Sequence, residues 1–506
     1  MVAADVRPDQ ARRVSGKKAA VAAVGVLAGL RRWERATRPG NLEFADAVRA
    51  RWESLPEHVR TPGQVLGRRA VGCEGTHGVF PRCNLACTPC YHSRDANQVR
   101  VDGPHTLANV EAQMKLLRQL RGPHAHAQLI GGEVTLLSPE DHAAAIAVMR
   151  RYGREPMSFT HGDVDYDYLR RLATGPDGRR RFARLSFAAH FDMFMFGRRG
   201  IERPPDEASL NAYRAEFTAK LRRLRRETGV RTFAAHNMTV TPANLDQVAE
   251  VVRATRGMGY GMFSFQPAAF VGDDRRWHEQ YRDVDGDAVW AEIERGVGAR
   301  LDYRIFEHGD VRCNRVAYGF YVGDRWFPVV DGDDPRDLAV RDAFLHRLGA
   351  VSFIGTALPV LAVQLARLAL REPSSLRLAG GWLVRRIRQV GVRRLLRHPR
   401  VRATSYVMHR FMDAADVAEA WELMQRGESS ADPRIRETQE RLSACHYAMA
   451  HPEDGTLVPA CVQHGVLDPV ENAQLRKLLP IAAVRHSHNE VSNQDSPSGR
   501  HACGLA

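Results

Sequence analysis

Between about Thr76 and Gln266 the chain alternates two hydrophobic patterns. Short apolar runs of strand type are "THGVF" (76–80), "AQLIG" (127–131), "MSFTH" (157–161), "RLSFAAH" (184–190), "TFAAHNMTV" (232–240) and "MFSFQP" (262–267). Longer stretches of helical periodicity separate them, among them "TLANVEAQMKLLRQL", "ASLNAYRAEFTAKLRRLRRETG" and "ANLDQVAEVVRATRGMG". Six strand–helix units in a row predict an α/β fold, a parallel sheet with crossover helices curled into a partial (β/α)6 TIM-like barrel. In such folds chemistry collects at the carboxyl ends of the strands.

After Arg300 the alternation stops. Residues 348–366, "LGAVSFIGTALPVLAVQLA", are nineteen in a row without a charge, interrupted by Pro359. That length reaches the lower limit for a membrane span, and the proline argues against one. Eleven arginines follow between Arg367 and Arg402, with Glu372 the only acid. The segment reads either as a buried, pocket-lining helix or as a peripheral membrane contact. The expected organisation is an N-terminal extension (1–65), the barrel (66–300), the apolar and arginine-rich region (301–402), a C-terminal α-rich and metal-binding region (403–480) and a disordered polar tail (481–506). In the extension, basic residues precede an apolar run from Ala19 to Leu30. Arg31 and Arg32 follow at once and no small-residue cleavage site stands out, so a surface helix is expected rather than a signal peptide.

Composition narrows the partners. The 506 residues are 44% hydrophobic and 26% charged, with a net charge of +14, which invites an anionic partner. Nucleic acid is disfavoured, because Trp382 is the only aromatic residue among the arginines and stacking needs more. There are eight cysteines, and three of them fall within eight positions. A disulfide framework would spread them through a small secreted domain, so the cluster reads as a metal site in a reducing, cytoplasmic setting.

That cluster is "FPRCNLACTPCYHS", with Cys83, Cys87 and Cys90 in C-x3-C-x2-C spacing. A structural zinc site takes four ligands in a closed tetrahedron. Three thiolates on a [4Fe–4S] cube leave one iron open, which is useful where a cofactor binds it. With an aromatic residue after the last cysteine, the loop resembles the signature of the radical S-adenosylmethionine superfamily. The resemblance implies that Cys83, Cys87 and Cys90 hold the cube and that S-adenosylmethionine chelates its open iron. It further implies cleavage to a 5′-deoxyadenosyl radical, hydrogen abstraction from a substrate C–H, and a cytosolic electron donor. Tyr91 would lie near the adenine, although the family's aromatic usually precedes the last cysteine, where this chain has Pro89. Gly131-Gly132-Glu133, after the second strand, is similar to the family's GGE motif; the glycines admit close backbone approach, and Glu133 would accept from the cofactor's ammonium. Ser186, His190, His236, Asn237 and Gln266 are candidates for its ribose or carboxylate, with Thr160 and His161 beside them. Strand alternation turns only half of these inward.

Further on, "CHYAMAHPEDGTLVPAC" sets Cys445 and Cys461 on either side of a hairpin at Asp454-Gly455. It loosely resembles the tails of tetraether-synthase-like radical enzymes. That likeness implies an auxiliary iron–sulfur cluster on Cys313, Cys445 and Cys461, with Cys73, Cys503, His446 or His464 as the fourth ligand. The alternative is three ordinary buried thiols. The expected function is a radical S-adenosylmethionine enzyme acting on a lipid or other hydrophobic substrate. The rivals are a maturase of ribosomally made peptides and a non-catalytic membrane- or nucleic-acid-binding protein that keeps the cluster fold.

Overall fold

The computed structural model describes residues 33–34, 37–38, 40–79, 82–90, 92, 94–271, 274–282, 284–348, 351–354 and 356–481. The Ala19–Leu30 run, Tyr91, Cys503 and the polar tail from 482 onward lie outside the described residues.

An 11-stranded sheet organises the chain. Its parallel centre is β1 (Cys73–Gly75), β3 (Ala125–Leu129), β4 (Arg154–Thr160), β5 (Arg184–His190), β7 (Arg231–Val240) and β8 (Met262–Pro267). Two short strands, β2 (Ala86–Cys87) and β6 (Met195–Phe196), pair antiparallel outside it. The expected six strand–helix units are present: helices α2 (Gly103–Arg121), α3 (Pro139–Arg151), α4 (Tyr166–Ala173), α5 (Asn211–Thr228), α6 (Val248–Thr255) and α7 (Gly286–Val297) follow the six strands in turn. Helix α1 (Leu42–Ser54) precedes them all. The first strand differs from its expected place. It ends at Gly75, and Thr76–Val79 already form the loop, in which Thr76 Oγ1 donates to Ile130 O at 2.9 Å.

The barrel takes more of the chain than the sequence pattern suggested. After β8 come the hairpin β9 (Asn314–Val322) and β10 (Arg325–Pro328), then β11 (Val401–His409), which lies parallel to β8. At the other edge β12 (Tyr447–His451) runs parallel to β1 and carries β13 (Thr456–Pro459), closing the expected hairpin. Residues 403–480 therefore give strands on both sides of the parallel centre. The sheet curls: His409 of β11 and His446, just before β12, stack with ring centroids 5.4 Å apart although six strands separate β11 from β12.

Alternation along the strands divides the two faces. Leu185, Phe187 and Ala189 of β5 point outward into the core shared with the helices, where α2 offers Val110, Met114 and Leu117 and α5 offers Phe217, Leu221 and Leu224. Both helical triplets have i, i+4, i+7 spacing, one apolar stripe per helix. Ser186 and His190 occupy the opposite face, so polar residues line the barrel interior. One buried ion pair crosses the outer face: Arg154 donates to both Glu74 oxygens at 2.8 and 3.0 Å, and also to the carbonyls of Gly122 and Tyr152.

The uncharged stretch 348–366 breaks in two. Helix α8 (Pro335–Arg347) precedes it, and α9 (Leu358–Arg371) begins with Pro359 in its first turn, where the missing N–H costs nothing. Helices α10 (Pro373–Val390) and α11 (Val392–Arg397) complete the segment. Among the described residues no helix is long and apolar enough to cross a membrane. Nor is α9 a core helix, since Gln364 is its only buried residue.

Candidate functional site

The cysteine loop is fixed at several points. Cys83 N–H donates to Asn97 Oδ1 at 3.1 Å, and Leu85 N–H donates to Cys83 Sγ at 3.3 Å. Ala86 and Cys87 pair with Phe196 and Met195, and Thr88 N–H reaches Phe194 O at 3.1 Å. So held, Cys83, Cys87 and Cys90 line one wall of a cleft of about 1050 Å³ at the carboxyl ends of the strands. No fourth cysteine lines it among the described residues. Gly131, Gly132, His190 and Gln266 share the cleft with them, together with Thr160 and His161.

The spacing of the sulfurs is informative. A zinc ion bonded at about 2.3 Å brings its sulfurs within about 4 Å of one another. Among the described residues, the one trio of His, Cys, Asp or Glu ligand atoms lying within 4.8 Å of one another is His77, His451 and Glu471. The three loop sulfurs do not form such a trio. Burial pushes the Cys83 thiol up to about 12, Glu133 adds to the rise, and the Arg276 cation opposes it. Cys87 is raised too, first by burial and then by its two neighbouring thiols. These are donors that favour a cationic occupant.

Glu133 sits beneath the cleft wall rather than in it. Its Oε1 accepts from Thr135 N–H at 3.0 Å, Thr135 Oγ1 at 2.7 Å and Thr160 Oγ1 at 2.8 Å, and its Oε2 accepts from His161 N–H at 2.7 Å. The carboxylate thus clamps the ends of β3 and β4. His161 accepts Asp163 N–H at Nδ1 and donates from Nε2 to Asn84 Oδ1 at 2.8 Å; burial lowers its pKa, which keeps it neutral. The clamp therefore extends back to the cysteine loop.

On the next strands, His190 Nε2 lies 2.7 Å from Asp192 Oδ2 and 3.2 Å from Thr239 Oγ1. Burial alone would raise Asp192, but its hydrogen bonds with His190 and backbone N–H groups outweigh that and hold it below the usual range. Ser186 shares a face with His190 but lies four residues deeper. Asn237 and Ser264 are paired in register on that same face, two residues below the cleft-lining Thr239 and Gln266. Ser186 Oγ, Asn237 Nδ2 and Ser264 Oγ are all buried without a hydrogen-bond partner. Three such atoms inside the barrel, under a cleft, fit a polar ligand or its water. His236 points the other way: it accepts from Arg214 Nε at 3.1 Å and stacks on Phe191 in the core.

A second cysteine group sits at the barrel seam. Cys313 precedes β9, Cys445 precedes β12 and Cys461 follows β13. All three are raised, first by burial, and both Cys445 and Cys313 raise Cys461. Arg441 Nε donates to Cys313 Sγ at 3.1 Å. His446 lies beside them, with His308 and His409 around it. Cys73 accepts instead from Gln128 at 3.4 Å, and His464 is tied to Asp468 at 2.7 Å.

No family model and no curated protein matches the chain. Solved structures it is similar to include Streptococcus suis SuiB (12% identity, 43% of this chain and 41% of that one, TM-score 0.27) and native anSMEcpe with bound AdoMet (15%, 44% and 57%, TM-score 0.29). This chain thus spans about half the length of those structures. The cysteine loop and its GGE turn resemble the radical S-adenosylmethionine superfamily. Beyond that resemblance, the cleft holds residues that motif reading missed. Arg276 supplies a cation beside the thiols, and His92, Asn97 and Phe411 complete the lining. Arg276 and Phe411 carry no sequence signal, because both lie outside the strand–helix units. His92 and Asn97 adjoin the triplet, and their proximity to it was the available clue.

Proposed function

We propose that this chain is a radical S-adenosylmethionine enzyme whose Cys83, Cys87 and Cys90 hold a [4Fe–4S] cluster. The observation that carries the reading is the convergence of three thiols, in C-x3-C-x2-C spacing, on a cleft lined also by Gly131 and Gly132 at the strand ends. Held by Cys83, Cys87 and Cys90, such a cluster would supply the single electron for reductive cleavage of bound S-adenosylmethionine, and with it the means of hydrogen abstraction from a substrate C–H.

The protein's part is to bind, orient and exclude water. Gly131 and Gly132 let a ligand approach the backbone, and Glu133, clamped by Thr135, Thr160 and His161, fixes that turn. His190, held by Asp192, and Gln266 offer polar atoms to the ribose and carboxylate of the cofactor. Arg276 offsets the negative charge of the thiolates. Leu85, Ile130, Phe159, Met195 and Val271 make the remaining wall apolar, which favours a hydrophobic substrate and protects a radical from water. Cys313, Cys445 and Cys461 would hold an auxiliary iron–sulfur cluster, with His446 the nearest candidate for a fourth ligand. A cytosolic donor would supply the electrons.

The test is anaerobic reconstitution with iron and sulfide, reduction in the presence of S-adenosylmethionine, and assay for 5′-deoxyadenosine. The full chain should form it, and a Cys83→Ala/Cys87→Ala/Cys90→Ala variant with an unchanged circular dichroism spectrum should form none. Product from the triple variant, or none from the reconstituted chain, overturns the reading.

A further inference from the structure

Helices in a folded chain normally turn apolar residues inward and arginines outward. Helix α10 departs from this on both sides. Arg385 and Arg386 point into the protein, where both bind the buried Asp337 of α8. Leu376, Leu383, Val384 and Ile387 point outward, Leu376 60% and Leu383 52% exposed. Their spacing of seven, one and three residues places them on one helical stripe. Neighbouring helices also expose apolar side chains: Leu358 and Leu370 of α9 are 68% and 82% exposed, and Val392 and Leu396 of α11 are 60% and 78% exposed. These eight account for nearly half of the seventeen exposed large apolar side chains among the described residues.

Exposed guanidinium groups accompany the stripe. Arg371, Arg377, Arg388, Arg393 and Arg397 are exposed and make no ion pair among the described residues. Arg377 and Arg388 fall along the edge of the α10 stripe at helical spacing. The segment's only acid, Glu372, is neutralised by Arg347 at 3.2 Å. The surface is therefore apolar and predominantly cationic, its acids Glu372 and Asp324 each paired with an arginine.

We infer that α9–α11 form a docking surface for an anionic lipid bilayer, lying in the interface with leucines among the acyl chains and arginines at the headgroups. Charge complementarity selects this occupant, since long cationic side chains beside an apolar stripe suit an anionic interface. A second copy of the same face would bring like charge against like. Nucleic acid has no use for the leucines, and the one aromatic ring of the segment faces inward, with Trp382 Nε1 donating to Val329 O at 2.7 Å. The surface is independent of the cluster reading and stands or falls apart from it.

Flotation of the full chain with vesicles tests it, comparing pure phosphatidylcholine with a phosphatidylcholine–phosphatidylglycerol mixture. Two variants accompany the wild type, Leu376→Gln/Leu383→Gln/Ile387→Gln and Arg377→Gln/Arg388→Gln/Arg393→Gln. Both alter only exposed side chains, and unchanged circular dichroism and thermal unfolding confirm the fold. The wild type should bind the mixed vesicles, weaken with salt, and bind phosphatidylcholine at least tenfold less. Each variant should lose at least tenfold on the mixed vesicles. Equal binding to both vesicle types, wild-type binding by either variant, or a dimer that the leucine variant dissociates without vesicle binding by the wild type would overturn it.

Discussion

Single residues in this molecule take their roles from what surrounds them. Glu133 was legible as part of a GGE tripeptide but not as a clamp, because its four hydrogen bonds come from Thr135, Thr160 and His161, and only folding brings β4 to it. His236 and Asn237 are neighbours in sequence and opposites in space, one packed on Phe191, the other facing the barrel interior; alternation predicted the split but not which went where. Glu74 and Arg154 gave no sequence signal at all, since a charge in a strand reads as solvent-facing. Both are fully buried and bidentate. Arg154→Met should cost about 3–5 kcal/mol in urea unfolding, because it strands the Glu74 charge, with Arg121 3.9 Å away giving partial relief. Pairing it with Glu74→Met should recover most of that loss. A single variant as stable as the wild type would contradict the burial of this pair.

At the scale of elements, strands β5 and β8 lie where the apolar runs place them, because each is bounded by a clear change of pattern. Strand β1 is displaced, since "THGVF" is apolar for another reason: Val79 packs into the core from a loop. Strand β11 was not foreseen, and β12 was foreseen only as half of a hairpin and not as a neighbour of β1, as each pairs with a partner more than a hundred residues away in sequence. One contact couples three such elements. On the loop after β1, His77 has Nδ1 2.8 Å from Glu471 of α14 (Asp468–Leu478) and Nε2 2.8 Å from Ala450 O of β12, so both nitrogens face acceptors. His451 stacks on its ring with centroids 4.2 Å apart, and Asp468 lies nearby. The near-parallel rings leave their in-plane lone pairs side by side, which suits hydrogen bonding better than a shared metal ion. Burial alone would lower the His77 pKa, but Glu471 and the Ala450 carbonyl outweigh it and hold it above the ordinary value. A raised folded pKa gives stability that is complete below the unfolded value of about 6.5 and lost as pH climbs through the folded one. The stability gap between the wild type and His77→Gln in denaturant unfolding should therefore narrow as pH rises above about 6.5. A gap that widens would contradict a charged His77.

For the molecule as a whole, the parallel barrel and the triplet loop were readable because both are local patterns, a repeat and a spacing. The seam was not. Cys313, Cys445 and Cys461 come together only because the sheet curls until β9 and β12 approach, and curl is a property of all the strands at once. The apolar and arginine-rich region up to Arg402 was judged by composition, which cannot show that α10 turns Leu376 and Leu383 outward and Arg385 and Arg386 to Asp337. The central claim is that the polypeptide supplies three ligands to a four-iron cube and leaves one iron for a small molecule. Electron paramagnetic resonance tests it most directly, on a reduced and reconstituted Cys313→Ala/Cys445→Ala/Cys461→Ala chain that leaves only the loop to bind iron. Adding S-adenosylmethionine should change the line shape of the cluster signal, because an open iron takes the new ligand. A signal indifferent to the addition, or a loop that holds zinc and gives no signal, would contradict the account.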